Sequence, residues 1–388
     1  MDNLSKSISS FSFDCYKELN KNEPQGNIFF SPSSISLAMG MVDLGAKGNT
    51  AAQIEKTMYF GRPGDNTKSL PSSQEGCKVE GVHREFKQLL TDLNAHSKIY
   101  ELSLANRLYG QKGFEFVTQY LICTEELYNA KLETVDFQND TETARQTINS
   151  WVAGQTNDKI KELLAKNSID TSTVLALVNA VYFKGKWKKP FKIEDTKDEI
   201  FNVNKNEKKT VKMMSQTGNF MLGHLPDIKS KILALPYEGD LSMFILLPDE
   251  VDGLTQVEGK ITAEILENAT KIENMREAKV NLKLPSFMIE TTFDLIPVLK
   301  NLGMTDLFSI NVNLSGISSQ TLKVSTIVHK SYVEVNEEGT EAAAATGVGV
   351  VAVSAPLLID FHVNHSFMLV IKHNQSNTLL FHGKYTSP

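Results

Sequence analysis

Apolar positions recur every three to four residues from Leu4 to Asn20, a spacing that predicts an amphipathic helix. Ser31-Pro32-Ser33-Ser34-Ile35 reads as an N-cap with proline just inside it, and predicts a second helix running through Leu44. The same periodicity predicts helices over Thr50 to Tyr59 and Val82 to Leu93. Residues 61–81 between them are polar and broken by Pro63, Gly64, Pro71 and Gly76, which predicts an exposed loop longer than a compact fold usually needs.

Beyond residue 173 the pattern changes. Val174 to Phe183, Leu241 to Pro248, Val280 to Pro285 and Phe367 to Ile371 are short apolar or alternating runs that predict strands. The runs at Val174 and Leu241 are dense enough for strands covered on both faces. Helices first and strands afterwards predict α+β architecture around large sheets. No 20 to 50 residue repeat is present, and the chain is read as one domain over residues 1–388.

One segment fits neither period. Glu337 to Pro356 begins with an acidic, alanine-rich stretch that favours helix and continues through Val348, Val350, Val351 and Val353, which favour strand. Taken with a period of two, one face carries Thr340, Ala342, Ala344, Thr346, Val348, Val350 and Ala352, all uncharged and mostly small. Glu341, the single charge between Thr340 and Ser354, falls on the other face. A strand with such a face is able to enter a sheet; the competing reading is an Ala/Gly/Val linker.

Charge and motifs narrow the function classes. A net charge of −6 argues against nucleic acid or an anionic membrane as partner. The basic cluster Lys205, Lys208, Lys209 and Lys212 reads as a solvated hairpin face. The N-terminal residues lack the continuous apolar core of an ordinary secretory signal, and no run approaches the ~18 residues that span a bilayer, so a cytoplasmic protein is expected. Cys15, Cys77 and Cys123 are too few and too far apart for a disulfide framework or a zinc site, in keeping with a reducing compartment. The sequence holds no Gly-x-Ser-x-Gly elbow, His-Glu-x-x-His, phosphate-cradling loop or dinucleotide fingerprint. His362 and His365 have no third ligand nearby in sequence. The expectation is a protein that is no enzyme and needs neither metal nor cofactor.

Several stretches carry a family resemblance from end to end: Asn27-Ile-Phe-Phe-Ser-Pro-Ser-Ser-Ile-Ser, Leu177-Val-Asn-Ala-Val-Tyr-Phe-Lys-Gly-Lys-Trp with Pro190-Phe191, Leu235-Pro-Tyr, Leu246-Leu-Pro, His329-Lys330, Phe361-His-Val-Asn-His-Ser-Phe-Met and Phe381-His-Gly-Lys. In these the chain resembles the serpins, and within them the intracellular, ovalbumin-type clade B. The resemblance implies a fold of helices and three β-sheets with an exposed reactive-centre loop, here residues 337–360. It implies a suicide inhibitor whose cleaved loop inserts into the main sheet and traps the protease as an acyl-enzyme, in a covalent 1:1 complex formed by a monomer.

The same resemblance assigns residues. The hinge is Glu337, Gly339, Thr340, Glu341, Ala342, Ala343, Ala344, Ala345 and Thr346. The family spacing puts the scissile bond between Val353 and Ser354, and an uncharged, mid-sized Val353 suits an elastase-like pocket. Ser31, Ser34, Asn179 and His329 match the shutter, a polar cluster under the sheet where strands part, and Trp187 matches the breach where the loop first enters. Two positions depart from the family: Ser366 replaces a usual proline, and Ser286 replaces a base that pairs with the residue corresponding to Glu337. Alternatives within the resemblance are inhibition of papain-like cysteine proteases, a non-inhibitory storage or chaperone role, and export by an unconventional route.

Overall fold

The computed structural model describes residues 2–61, 77, 80–95, 100–338 and 358–388. Its helices are α1 (Asp2–Asn22), α2 (Pro32–Gly45), α3 (Gly48–Met58), α4 (Val82–Ala95), α5 (Thr118–Tyr128), α6 (Thr141–Gln155), α7 (Leu254–Lys260), α8 (Ala263–Ala269) and α9 (Leu295–Asn301). The strands are β1 (Ile28–Phe30), β2 (Glu101–Gln111), β3 (Glu133–Val135), β4 (Leu175–Lys184), β5 (Lys197–Asn202), β6 (Lys208–Leu225), β7 (Ser230–Pro236), β8 (Leu241–Pro248), β9 (Arg276–Pro285), β10 (Phe287–Asp294), β11 (Val324–Val335), β12 (Ile359–His362), β13 (Phe367–His373) and β14 (Thr378–Tyr385).

The four predicted N-terminal helices are present as α1 to α4, and α2 begins where its cap predicts. Ser31 is its N-cap, and the Ser31 hydroxyl accepts the N–H of Ser34 at 3.2 Å while Pro32 opens the first turn without wasting a donor. The predicted strands at Val174, Leu241, Val280 and Phe367 appear as β4, β8, β9 and β13. The basic cluster sits on the hairpin of β5 and β6, where Lys212 pairs with Asp198 at 2.8 Å and Lys205 with Asp252 at 3.3 Å.

The strands form two hydrogen-bonded sheets. One has five strands in the order β10-β11-β4-β2-β3; the other has nine, in the order β1-β14-β13-β8-β7-β6-β9-β12, with β5 also on β6. The three sheets of the resemblance become two because β6, 18 residues long, changes partners along its length. It pairs with β5 over Lys208 to Met213, with β9 over Met213 to Leu222 and with β7 over Met221 to Leu225, and so joins two of the three. Where β1 crosses β14, Gly383 permits the approach: a Cβ there would lie 2.3 Å from the carbonyl oxygen of Ile28.

β4 shows how alternation builds the core. Leu175, Leu177, Val181 and Phe183 point into the large cluster shared with the helices and the nine-stranded sheet. Ala176, Val178, Ala180 and Tyr182 point the other way, into a smaller cluster with Ala144, Ile148 and Val152 of α6. Both faces are covered, which is why the sequence there is continuously apolar. Asn179 is the exception on the inward face, and it is fully buried.

The cysteine reading is overturned. Cys77 and Cys123 are joined in a disulfide with their Cα atoms 5.2 Å apart, although 46 positions separate them in sequence. Folding supplies the proximity: Cys123 lies on α5, which packs on α4, and Cys77 comes just before α4. The argument for a reducing compartment from the cysteines therefore falls. A closed loop of 46 residues restrains the unfolded chain by about 4 kcal/mol in the chain-entropy account. Reduction is expected to lower the unfolding free energy by up to that amount, seen as a lower urea midpoint, and identical midpoints with and without reductant would contradict the link.

Candidate functional site

The centre of the five-stranded sheet is where β4 meets β11. The two run parallel, paired from Leu175 with Val324 to Phe183 with Val333, with one irregularity near Ser325. They are hydrogen-bonded directly to one another. A segment that leaves the C-terminal end of β11 and turns back towards the sheet runs antiparallel to both. Its insertion would exchange one parallel ladder, the weaker kind per residue, for two antiparallel ones.

The chain leaves β11 through Asn336, Glu337 and Glu338, each of which is held. The indole N–H of Trp187 donates to the carbonyl of Asn336 at 2.9 Å, and the ring stacks on Tyr237 at 4.3 Å between centroids. Thr196 Oγ1 donates to Glu337 at 2.6 Å, and Lys184 Nζ donates to Glu338 at 2.8 Å. Lys184 holds the Glu338 carboxyl below the usual carboxylate range. Ser286, where the family pattern has a base for Glu337, instead donates to the carbonyl of Val335 at 3.1 Å, so Thr196 partners Glu337 here. On the far side β12 begins at Ile359, parallel to β9. The remaining hinge residues Gly339, Thr340, Glu341, Ala342, Ala343, Ala344, Ala345 and Thr346, and the bond between Val353 and Ser354, lie outside the described residues, as does most of the loop read over 61–81.

Midway along the β4–β11 pair a buried polar cluster spans the seam. His329 stands opposite Asn179 in register, both fully buried. His329 Nε2 accepts the backbone N–H of Ser31 at 3.1 Å, so the ring proton is on Nδ1, which donates to Asn179 Oδ1. The Asn179 amide donates to the carbonyl and hydroxyl oxygens of Ser34 at 2.8 and 2.9 Å and also contacts Asn106 Oδ1. Ser31 Oγ donates to the carbonyl of Leu380 at 2.7 Å, carrying the cluster to β14. Ser31, Ser34, Asn179 and His329 thus meet, whereas Trp187 stands apart at the hinge. Asn106 of β2 is a member that sequence reasoning missed: its amide donates to Ser34 Oγ at 3.1 Å. Ser331 and Thr291 were missed too, and both donate to the carbonyl of Phe29.

Burial pushes His329 down to about 3, and His382, buried beside Ser12, equally down to about 3. Both values lie below the unfolded 6.5, so the unfolded chain takes up protons first as pH falls. The stability they contribute is complete above about pH 6.5 and is lost towards about pH 3, at roughly 1.4 kcal/mol per pH unit for each ring. Urea midpoints are therefore expected to drop steadily from pH 7 to pH 5, and a flat profile would refute the assignment.

His362 and His365 do not share a ligand: His362 Nε2 lies 3.3 Å from Asp360, while His365 Nε2 meets the carbonyl of Pro248 at 2.9 Å. Ser366, where the family has proline, is buried and its hydroxyl reaches the carbonyl of Thr386 at 3.4 Å. No helix among the described residues is long and apolar enough to cross a membrane.

Comparison with known proteins agrees with this geometry. The family model described as serpin (serine protease inhibitor) matches residues 6–388. Human leukocyte elastase inhibitor is 46% identical over 396 residues, and human serpin B3 is 44% identical over 391, each alignment covering 100% of both chains. The crystal structure of uncleaved ovalbumin superposes with a TM-score of 0.89 at 38% identity, covering 100% of both chains. The chain belongs to the serpin family of protease inhibitors, and its relatives set it among the clade B members.

Proposed function

We propose that the protein traps an elastase-like serine protease by inserting its cleaved loop between β4 and β11. The observation that carries this reading is the direct parallel pairing of those strands at a hinge leading into an uncharged, small-residue face. The serine oxygen of the protease attacks the Val353 carbonyl, and the bond to Ser354 breaks, its nitrogen taking a proton as the new amine. The loop remains esterified to the serine. Release of Glu337 and Glu338 from Thr196 and Lys184 lets Thr340 enter beside Trp187, and the strand zips in past the polar cluster. The protease is carried away before water attacks the ester. In this reading Ser31, Ser34, Asn179 and His329 act as the shutter and Trp187 marks the breach.

Val353 and the likeness to leukocyte elastase inhibitor support an elastase-type target. The protein is read as a cytoplasmic monomer that forms a 1:1 complex and needs no cofactor. Incubation with a pancreatic-type elastase is expected to give a complex that survives a denaturing gel, and mass spectrometry should find a released peptide beginning at Ser354. Clean cleavage without a complex would overturn the trap; a different N-terminus would overturn the bond. Val353→Arg should shift trapping towards trypsin-like enzymes, whose pocket presents a carboxylate.

A further inference from the structure

From the last residue of β4 the chain reads Lys184-Gly-Lys-Trp-Lys-Lys-Pro-Phe-Lys192, five lysines and no acid in nine residues of a protein whose net charge is −6. Lys184 is engaged by Glu338, and Lys189 Nζ donates to the carbonyl of Thr217 at 2.8 Å. Lys186, Lys188 and Lys192 are exposed, and among the described residues none of them has an ion pair, although Glu194, Asp195 and Glu238 lie close by. Lys186 and Lys188 flank Trp187, whose ring is turned inward onto Tyr237, so alternation turns both amines outward. Ile193, next to Lys192, is 75% exposed and adds an apolar contact to this basic face.

We infer that this lysine face is a docking surface for the target protease, and that the protease it fits carries an acidic surface beside its substrate cleft. The inference rests on the trapping reading and narrows the partner. Its ground is where the segment runs. At one end Lys184 meets the exit of the reactive loop at Glu338. Further on, Lys189 sits on Thr217 of β6, beside Gly218, which stands opposite Val280 of β9, which in turn stands opposite Ile359 of β12. Two strand spacings, roughly 10 Å, thus separate Lys189's anchor from the strand on which the loop returns. Ser354 is five residues from Ile359 and stays within about 18 Å of it. A globular protease is wider than either distance, so one seated on that bond comes to lie against the lysines. Opposite charges on approaching faces raise encounter rates by roughly ten- to a thousandfold and leave the chemistry of the cleaved bond alone. The net charge of −6 opposes an acidic partner only at long range: at 0.1 M salt the screening length is about 10 Å, and the partner responds to the face it meets. Val353 then selects the kind of pocket, and the lysines select among proteases that share it.

The test compares two pancreatic-type elastases with the same primary pocket, one anionic and one cationic, by the second-order rate at which intact full-length protein disappears. That rate counts every productive encounter, whether it ends as complex or as cleaved protein; the share that ends as complex reports the trap. With the anionic elastase the rate should fall about tenfold between 0.1 and 0.5 M salt, the lower end of electrostatic steering. In Lys188→Glu/Lys192→Glu it should fall by a similar factor at the lower salt, while the cationic elastase should attack the same variant faster than the wild type. Lys188→Arg/Lys192→Arg keeps the charge and should match the wild type. Both pairs of substitutions leave Lys184, Lys189 and Trp187 in place, so the share of complex should not move. Rates that ignore salt and charge reversal, or that change in the same direction for both elastases, overturn the docking surface. The expected rate pattern with only cleaved protein as product overturns the trap and leaves the docking surface standing.

Discussion

Thr340→Arg is expected to convert the protein from a trap into a substrate. Thr340 is two residues beyond Glu338, so in the proposed insertion it would be the first of its strand face to enter the seam, at the end where Phe183 pairs with Val333. Both of those side chains are fully buried. An arginine entering there would be stripped of water without a partner, at a cost of roughly 3–5 kcal/mol. If that cost is felt in the rate-limiting step, insertion slows by at least about a hundredfold and hydrolysis of the acyl-enzyme wins. The measurement is the yield of covalent complex per loop cleaved. A variant that traps as efficiently as the wild type would sink the insertion mechanism.

The second large effect is expected at Asn179→Ala. This one side chain accepts from His329 and donates to Ser34, so its removal orphans a buried ring N–H and strips the Ser34 carbonyl of all but its place in α2. The orphaned ring N–H costs about 1–3 kcal/mol. The hydrogen bonds that Asn179 makes hold the seam between β4 and β11, so without them the closed form should also decay faster. The half-life of elastase-trapping activity at a fixed temperature should shorten along with a fall in the urea midpoint. Unchanged values for both would show that the cluster does not hold the sheet together.

Some of this site was legible in the sequence for clear physical reasons. Ser31 and Pro32 specify a helix start through local hydrogen bonding alone, and the apolar density of β4 reports burial on two sides. Thr340 to Ala352 read as a strand face from alternation alone, and they lie outside the described residues. The family resemblance then supplied Asn179 and His329, which stand 150 positions apart and meet only through the β4–β11 register. What escaped depends on tertiary approach. Asn106 lies in a strand of mixed polarity with no local mark of its role, and Lys184 finds Glu338 only because two strand ends coincide. Cys77 and Cys123 look like isolated cysteines until α5 packs on α4. The long strand β6 escaped because half-exposed alternation through Gln216 and Asn219 reads as surface.

The order of the nine-stranded sheet also bears on how the protein is made. β13 and β14 occupy its interior between β1 and β8, every residue in both is buried, and they are the last two strands in the chain. β1, near the other terminus, has β14 as its sheet partner. During synthesis the ribosome must therefore release residues beyond 366 before this sheet can close, while the edges of β1 and β8 stand unpaired. The loop is already translated by then. The nine-stranded sheet is thus completed only once β14 has been made, and a nascent chain that stalls short of β13 presents two open edges to its neighbours.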